Sequence, residues 1–183
     1  MRKVIAYLLV LALVGAIYAQ KKKWYEEKLV SVRYDRFKDS TALSLDLKNA
    51  SLMHKWRREY EKRPCLHPHI SFEGKIPEDQ SPLVTVGFFS ISKDWKFLRR
   101  HDLYALVDDK PMEMPKTKRE GGVIGGFVSE VIFFELSWEN FCKLCDAQVV
   151  EFQLGLEEFK VGEPEFALLR QFRRVYLDLL EEK

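Results

Sequence analysis

From Val30 onward the sequence repeats apolar residues at every second position, and no other feature limits its choice of fold so strongly. Successive side chains on a strand point to opposite faces, so this period marks strands with one face buried. Val30, Val32 and Tyr34 alternate with Ser31 and Arg33, and after "KDST" Leu43, Leu45 and Leu47 alternate with Ser44, Asp46 and Lys48. The two runs read as a hairpin whose Val30, Val32 and Tyr34 face the core. Further short strands follow at His69 to Phe72, Leu83 to Ile91, Leu103 to Val107 turning through "DDKP" toward Met112 and Met114, Phe127 to Phe134, and Val149 to Leu154 turning at Gly155 into Phe159 and Val161. Turns at this spacing predict a mainly β fold, an antiparallel β-sandwich or open barrel.

Two segments break the period. Trp138, Phe141, Cys142 and Cys145 fall on one helical stripe behind Ser137, a natural N-cap. In "GEPEFALLRQFRRVYLDLLEEK", Pro164 opens a C-terminal helix carrying Phe166, Leu169, Phe172, Tyr176 and Leu179 along one side. Asn49 to Arg63 fits either a short amphipathic helix through Leu52, Met53, Trp56 and Tyr60 or an exposed excursion, and Asn49-Ala50-Ser51 is an N-x-S sequon. Pro115 to Gly122, "PKTKREGG", reads as a mobile loop.

The N-terminus has a different character. Arg2 and Lys3 precede the uncharged run Val4 to Ala19, with small residues at Ala16 and Ala19. This is the plan of a secretory signal peptide. As a helix the run would reach about 24 Å, short of the roughly 30 Å hydrocarbon layer, which favours removal over anchoring. Lys21, Lys22 and Lys23 argue the other way, for an uncleaved N-terminal membrane anchor. The expected organisation is therefore residues 1–19 as signal or anchor and 20–183 as a single β-rich domain. The expected location is periplasmic or extracellular, with inner-membrane anchoring as the alternative. Losing Arg2 and Lys3 turns 30 basic and 28 acidic residues into 28 of each. A neutral chain lacks the excess of Lys and Arg that nucleic-acid binding by counterion release requires.

Chemistry-bearing patterns are sparse. "ENFCKLC" contains a C-x-x-C, but a cap at Ser137 puts Cys142 more than a turn inside the helix, away from the unpaired N–H groups that stabilise a thiolate. Both sulfurs therefore read as small core residues. "CLHPH" adds Cys65, His67 and His69, and with Cys142 and Cys145 there are five N/S donors, enough for tetrahedral zinc if the fold brings them together. "SISK", Ser90 to Lys93, has the S-x-x-K spacing but follows a strand-like run instead of opening a helix. "GGVIGG", Gly121 to Gly126, leads into a strand pattern and lacks the Lys-Ser/Thr of a phosphate loop. No catalytic, cofactor-binding or metal-ligating residue is assigned. The strand connection "SKDWKFLRRHD" offers Trp95, Arg99, Arg100 and His101 as a candidate partner-binding surface for an acidic or sugar-like partner.

The second half, from "SKDWKFL" through "LVDDKPMEM" to "FELSWENFCKLCDAQVVEFQLGLEEFKVGEPEFALLRQF", resembles a loose set of small exported bacterial proteins with no assigned activity. The resemblance implies the same order of hairpins, short helix, hairpin and terminal helix, and no active site. The resulting expectation is a non-catalytic exported envelope protein, without a cofactor, that binds a protein or glycan partner or serves a structural role. The alternatives are an extracytoplasmic zinc-dependent hydrolase and a membrane-anchored accessory protein.

Overall fold

A computed structural model describes residues 29–45 and 62–182. In chain order its elements are β1 (Val30–Asp35), β2 (Ser40–Leu45), β3 (Cys65–Glu73), β4 (Leu83–Ser92), β5 (Leu103–Val107), β6 (Lys110–Met112), β7 (Lys118–Ile124), β8 (Phe127–Ser137), α1 (Trp138–Asp146), β9 (Val150–Leu154), β10 (Glu157–Lys160) and α2 (Glu163–Glu181). The strands form a six-stranded sheet, β1-β2-β3-β4-β8-β7, and a four-stranded sheet, β10-β9-β5-β6. Every strand pairing is antiparallel. The mainly-β antiparallel class, with one short helix and a C-terminal helix, is thus the class that the alternation predicts. Among the described residues no helix is long and apolar enough to cross a membrane. The N-terminal segment 1–19, the sequon and most of Asn49 to Arg63 lie outside the described residues.

Register explains the layers. Leu43 lies opposite Ile70, Leu66 opposite Phe88, and Phe88 opposite Ile132, so these side chains line one face of the large sheet. That face is shared between two covers. Phe88 meets Phe152 and Phe159 of the small sheet, with ring centroids 5.0 and 5.4 Å apart. Toward β1 the cover is α2, whose Tyr176 ring stands edge-on to Phe72 at 6.2 Å. Helix α1 packs beside it through Phe141 and Phe172, 5.7 Å apart. The buried residues of both sheets and both helices form one continuous apolar cluster.

Polar contacts fix the helices in place. Gln171 Oε1 accepts from Leu29 N–H at 2.6 Å and Val30 N–H at 3.0 Å, tying α2 to the start of β1. Buried Glu165 takes both Arg63 guanidinium nitrogens, at 2.6 and 2.9 Å, and also accepts from Gly162 N–H at the start of α2. Both carboxylate oxygens of this side chain, 1% exposed, are matched by donors, as burial of such a group requires. Ser137 caps α1 as the sequence indicates, its Oγ accepting from Asn140 N–H at 3.3 Å.

Two local expectations need correction. In β1 only Val30 is buried among the three residues expected to face the core, while Val32 and Tyr34 are exposed. β1 is an edge strand, and its outer half stays open at Val32 and Tyr34. The segment expected as a loop at Pro115 to Gly122 instead enters β7, which pairs with β8 from Lys118 to Ile124. Its strand character lies in the ladder, since an exposed edge strand carries no apolar alternation to read. "GGVIGG" is accordingly strand plus turn: Gly125 and Gly126 have φ of +59° and +82°, the pair of positive values that a two-residue hairpin turn demands. The strand connection "SKDWKFLRRHD" joins the two sheets. It carries the chain from β4 in the large sheet to β5 in the small one.

Candidate functional site

The connection between the sheets, residues 93–102, is held from below by one carboxylate. Glu130 lies on the inner face of β8, opposite Ser90, and has no solvent exposure. Its oxygens accept from Lys96 N–H at 2.7 Å and from Phe97 N–H at 3.2 Å. Arg119 on β7 supplies the countercharge, with Nε 3.1 Å from Oε1. The same guanidinium lies 4.7 Å from the centre of the Trp95 ring, so Trp95 rests on a cation that is already fixed. Gly121 makes room for this stack: a Cβ there would stand 2.9 Å from the Trp95 ring and 2.8 Å from the Ser129 carbonyl. Phe97 is buried as the anchor of the connection.

Further contacts close its second half. Lys96 pairs with Glu157 at 2.9 Å. Gly155 N–H donates to the Asp102 carbonyl at 2.9 Å. Thr117 Oγ donates to the His101 carbonyl at 2.6 Å. Of the four residues named from sequence, Arg99 and Arg100 are exposed and form no ion pair among the described residues. Trp95 keeps 39% of its surface exposed. His101 is half-buried, with Nδ1 enclosed and unpartnered. It contributes to the seating of the connection more than to its outer surface.

The register brings more residues to this end than the sequence suggests. Ser92 pairs with Val128, so the β7–β8 turn projects where the connection begins. That turn displays Val123, Ile124 (73% exposed) and Phe127. Leu98 is exposed on the connection itself, and Leu156 (79% exposed) follows Gly155 in the β9–β10 turn beside Arg100. With Trp95, one end of the molecule thus carries six exposed large apolar residues around two arginines that form no ion pair among the described residues. Glu130, Arg119 and Gly121 were the residues missed, and the only trace of them in the sequence is a Glu at a core-facing position of a strand.

The thiols have a different setting. Cys142 and Cys145 occupy the fifth and eighth positions of α1, Cys145 buried and Cys142 half-buried. Burial pushes Cys145 up to about 12, and burial also raises Cys142 despite the hydrogen bond from Arg173. Cys145 Sγ donates to the Leu169 carbonyl at 3.5 Å, cementing α1 to α2. His67 and His69 alternate with Leu66, Pro68 and Ile70 and therefore stand on the sheet face opposite the helices. Burial lowers both imidazoles, His67 to about 4. The five expected donors do not converge, and among the described residues no three His, Cys, Asp or Glu side chains are grouped to hold a metal ion. Ser90, the serine of "SISK", is buried within β4 and opens no helix.

A concavity lies on the outer side of the small sheet. It encloses about 540 Å³ between Tyr104, Leu106, Glu151, Gln153, Glu158 and Lys160. Comparison with protein-family models, with curated proteins and with solved structures gave no match to this chain.

Proposed function

We propose that this chain is a non-catalytic exported envelope protein that docks a protein partner through the end built around residues 93–102. The observation that carries this reading is Trp95: seated over Arg119 and Gly121 of β7 yet 39% exposed to solvent. An aromatic side chain already locked in place loses little entropy on binding, which is the character of an interface anchor. Exposed aliphatic residues at Leu98, Ile124 and Leu156 favour a protein over a glycan at this end, because they offer nothing to a sugar hydroxyl. Arg99 and Arg100 add complementarity to an acidic rim. Export rests on the N-terminal sequence, Arg2 and Lys3 before the uncharged run to Ala19.

Photo-crosslinking residues placed at Leu98 and Ile124 in the native host test the docking end. A discrete crosslinked species at both positions, lost on Trp95→Ala and weakened by Arg99→Glu, is expected. The reading is wrong if neither position captures a protein while a crosslinker on the small sheet does. Sequencing the N-terminus of the recovered chain tests export: a start near Gln20 marks a removed signal, and a start at Met1 marks an anchored protein.

A further inference from the structure

We infer that the outer face of the four-stranded sheet is a separate binding site for a neutral saccharide. The site is built by strand register, independently of the docking end. Tyr104 on β5 lies opposite Gln153 on β9, which lies opposite Glu158 on β10. Two residues along, Leu106 lies opposite Glu151, which lies opposite Lys160. Two parallel rows result, each with an apolar group at the β5 end and polar groups toward β10. With strands about 4.8 Å apart and same-face residues about 7 Å apart, the platform measures roughly 10 by 7 Å, the footprint of one or two pyranose rings. The 540 Å³ above it falls in the range of small-ligand sites.

The chemistry suits a sugar. A pyranose has an apolar C–H face and an equatorial belt of hydroxyls. The Tyr104 ring, 62% exposed on a rigid strand, offers a flat surface for the first. Carboxylates, an amide and an ammonium along the same rows offer acceptors and donors for the second. These groups are already oriented by each other: Lys160 Nζ lies 2.5 Å from Glu151 Oε1, and Gln153 Nε2 lies 3.4 Å from Glu158 Oε1. The charges of Glu151, Glu158 and Lys160 leave a small negative excess, which repels phosphorylated or uronic sugars. An extended peptide added to the β6 edge fits less well. The two-residue turn at Asp108–Asp109 makes Val107 and Lys110 the hydrogen-bonded pair, so the backbone of Pro111 faces outward and has no N–H to give.

The test is a titration of the isotopically labelled full chain, followed by amide NMR shifts, with cellohexaose, chitohexaose and maltohexaose. Trigalacturonate and hexalysine serve as the anionic and cationic comparisons. At least one neutral oligosaccharide should bind with a Kd at or below roughly 1 mM, with shifts centred on Tyr104, Gln153 and Glu158. Tyr104→Ala, at an exposed site and checked for an unchanged melting temperature, should weaken binding at least about tenfold. Trp95→Ala should leave it unchanged, so this site stands or falls apart from the docking end. The inference is overturned if no neutral sugar shifts these amides at 10-fold higher concentration, if the shifts persist in Tyr104→Ala, or if trigalacturonate or hexalysine binds them more tightly.

Discussion

Glu130 Oε1 lies 3.1 Å from Arg119 Nε beneath the connection that joins the two sheets, and among the described residues neither forms a second ion pair. The pair does two things. It neutralises a carboxylate inside an apolar core, and through the backbone of Lys96 and Phe97 it fixes the path of the chain that presents Trp95. A surface anchor in this protein is therefore controlled from the interior.

Removing that carboxylate is expected to be costly. Glu130→Ala leaves the Lys96 and Phe97 N–H groups and a largely buried guanidinium unmatched, a loss of about 3–5 kcal/mol. Glu130→Gln keeps one acceptor oxygen and should lose less. Urea denaturation of both variants reads the difference, and a Glu130→Ala protein within about 1 kcal/mol of the parent would rule out the clamp.

The Gly121 position makes a steric prediction. A methyl group there would overlap the Trp95 ring and the Ser129 carbonyl, so Gly121→Ala should displace the ring and cost about 1–3 kcal/mol. Gly122, which a Cβ would leave in open space, is the control. Trp95 quenching by acrylamide should rise in Gly121→Ala and stay unchanged in Gly122→Ala.

Stability should fall on both sides of neutrality, for opposite reasons. Burial holds His67 near 4, below its ordinary 6.5, so the stability it carries is complete above 6.5 and is lost as pH falls toward 4. Burial holds Cys145 and Tyr176 near 12, above their ordinary 9 and 10, so their contribution is complete below 9 and is lost as pH rises toward 12. Melting temperatures from pH 4 to 12 should show a plateau between about 6.5 and 9. His67→Gln should flatten the acid limb and Cys145→Ala the alkaline one. An acid limb with the same slope in His67→Gln would show that its titration does not drive the loss. The same burial predicts that Cys145 reacts with a thiol reagent at pH 8 only after unfolding.

Particular residues show how far the sequence could be read. The alternation in Leu83 to Ile91 and Phe127 to Phe134 identified the two central strands, because both are long and buried on one face. Ser137 and Pro164 located the helix starts through chemistry that acts within one turn. β7 was hidden for the complementary reason: an edge strand with an exposed outer row has no pattern beyond the ladder that holds it. Trp95, Arg99 and Arg100 were legible as exposed candidates, whereas the support under Trp95 comes from β7 and β8, 24 or more residues further along the chain. The rows across β5, β9 and β10 were equally out of reach, since a connection of over 40 residues separates Leu106 from Glu151.

By itself the sequence determined what local periodicity and local capping can determine: the strands that bury one face, where the helices begin, and that the C-x-x-C sits past the reactive end of its helix. Only the tertiary structure decided which residues share a face. Strand order put His67 and His69 across the sheet from Cys142 and Cys145, seated Trp95 on Arg119, and aligned Tyr104 with Gln153 and Glu158. Those placements depend on register between distant strands, and register is fixed by the packing of the whole core, which no short stretch of sequence contains.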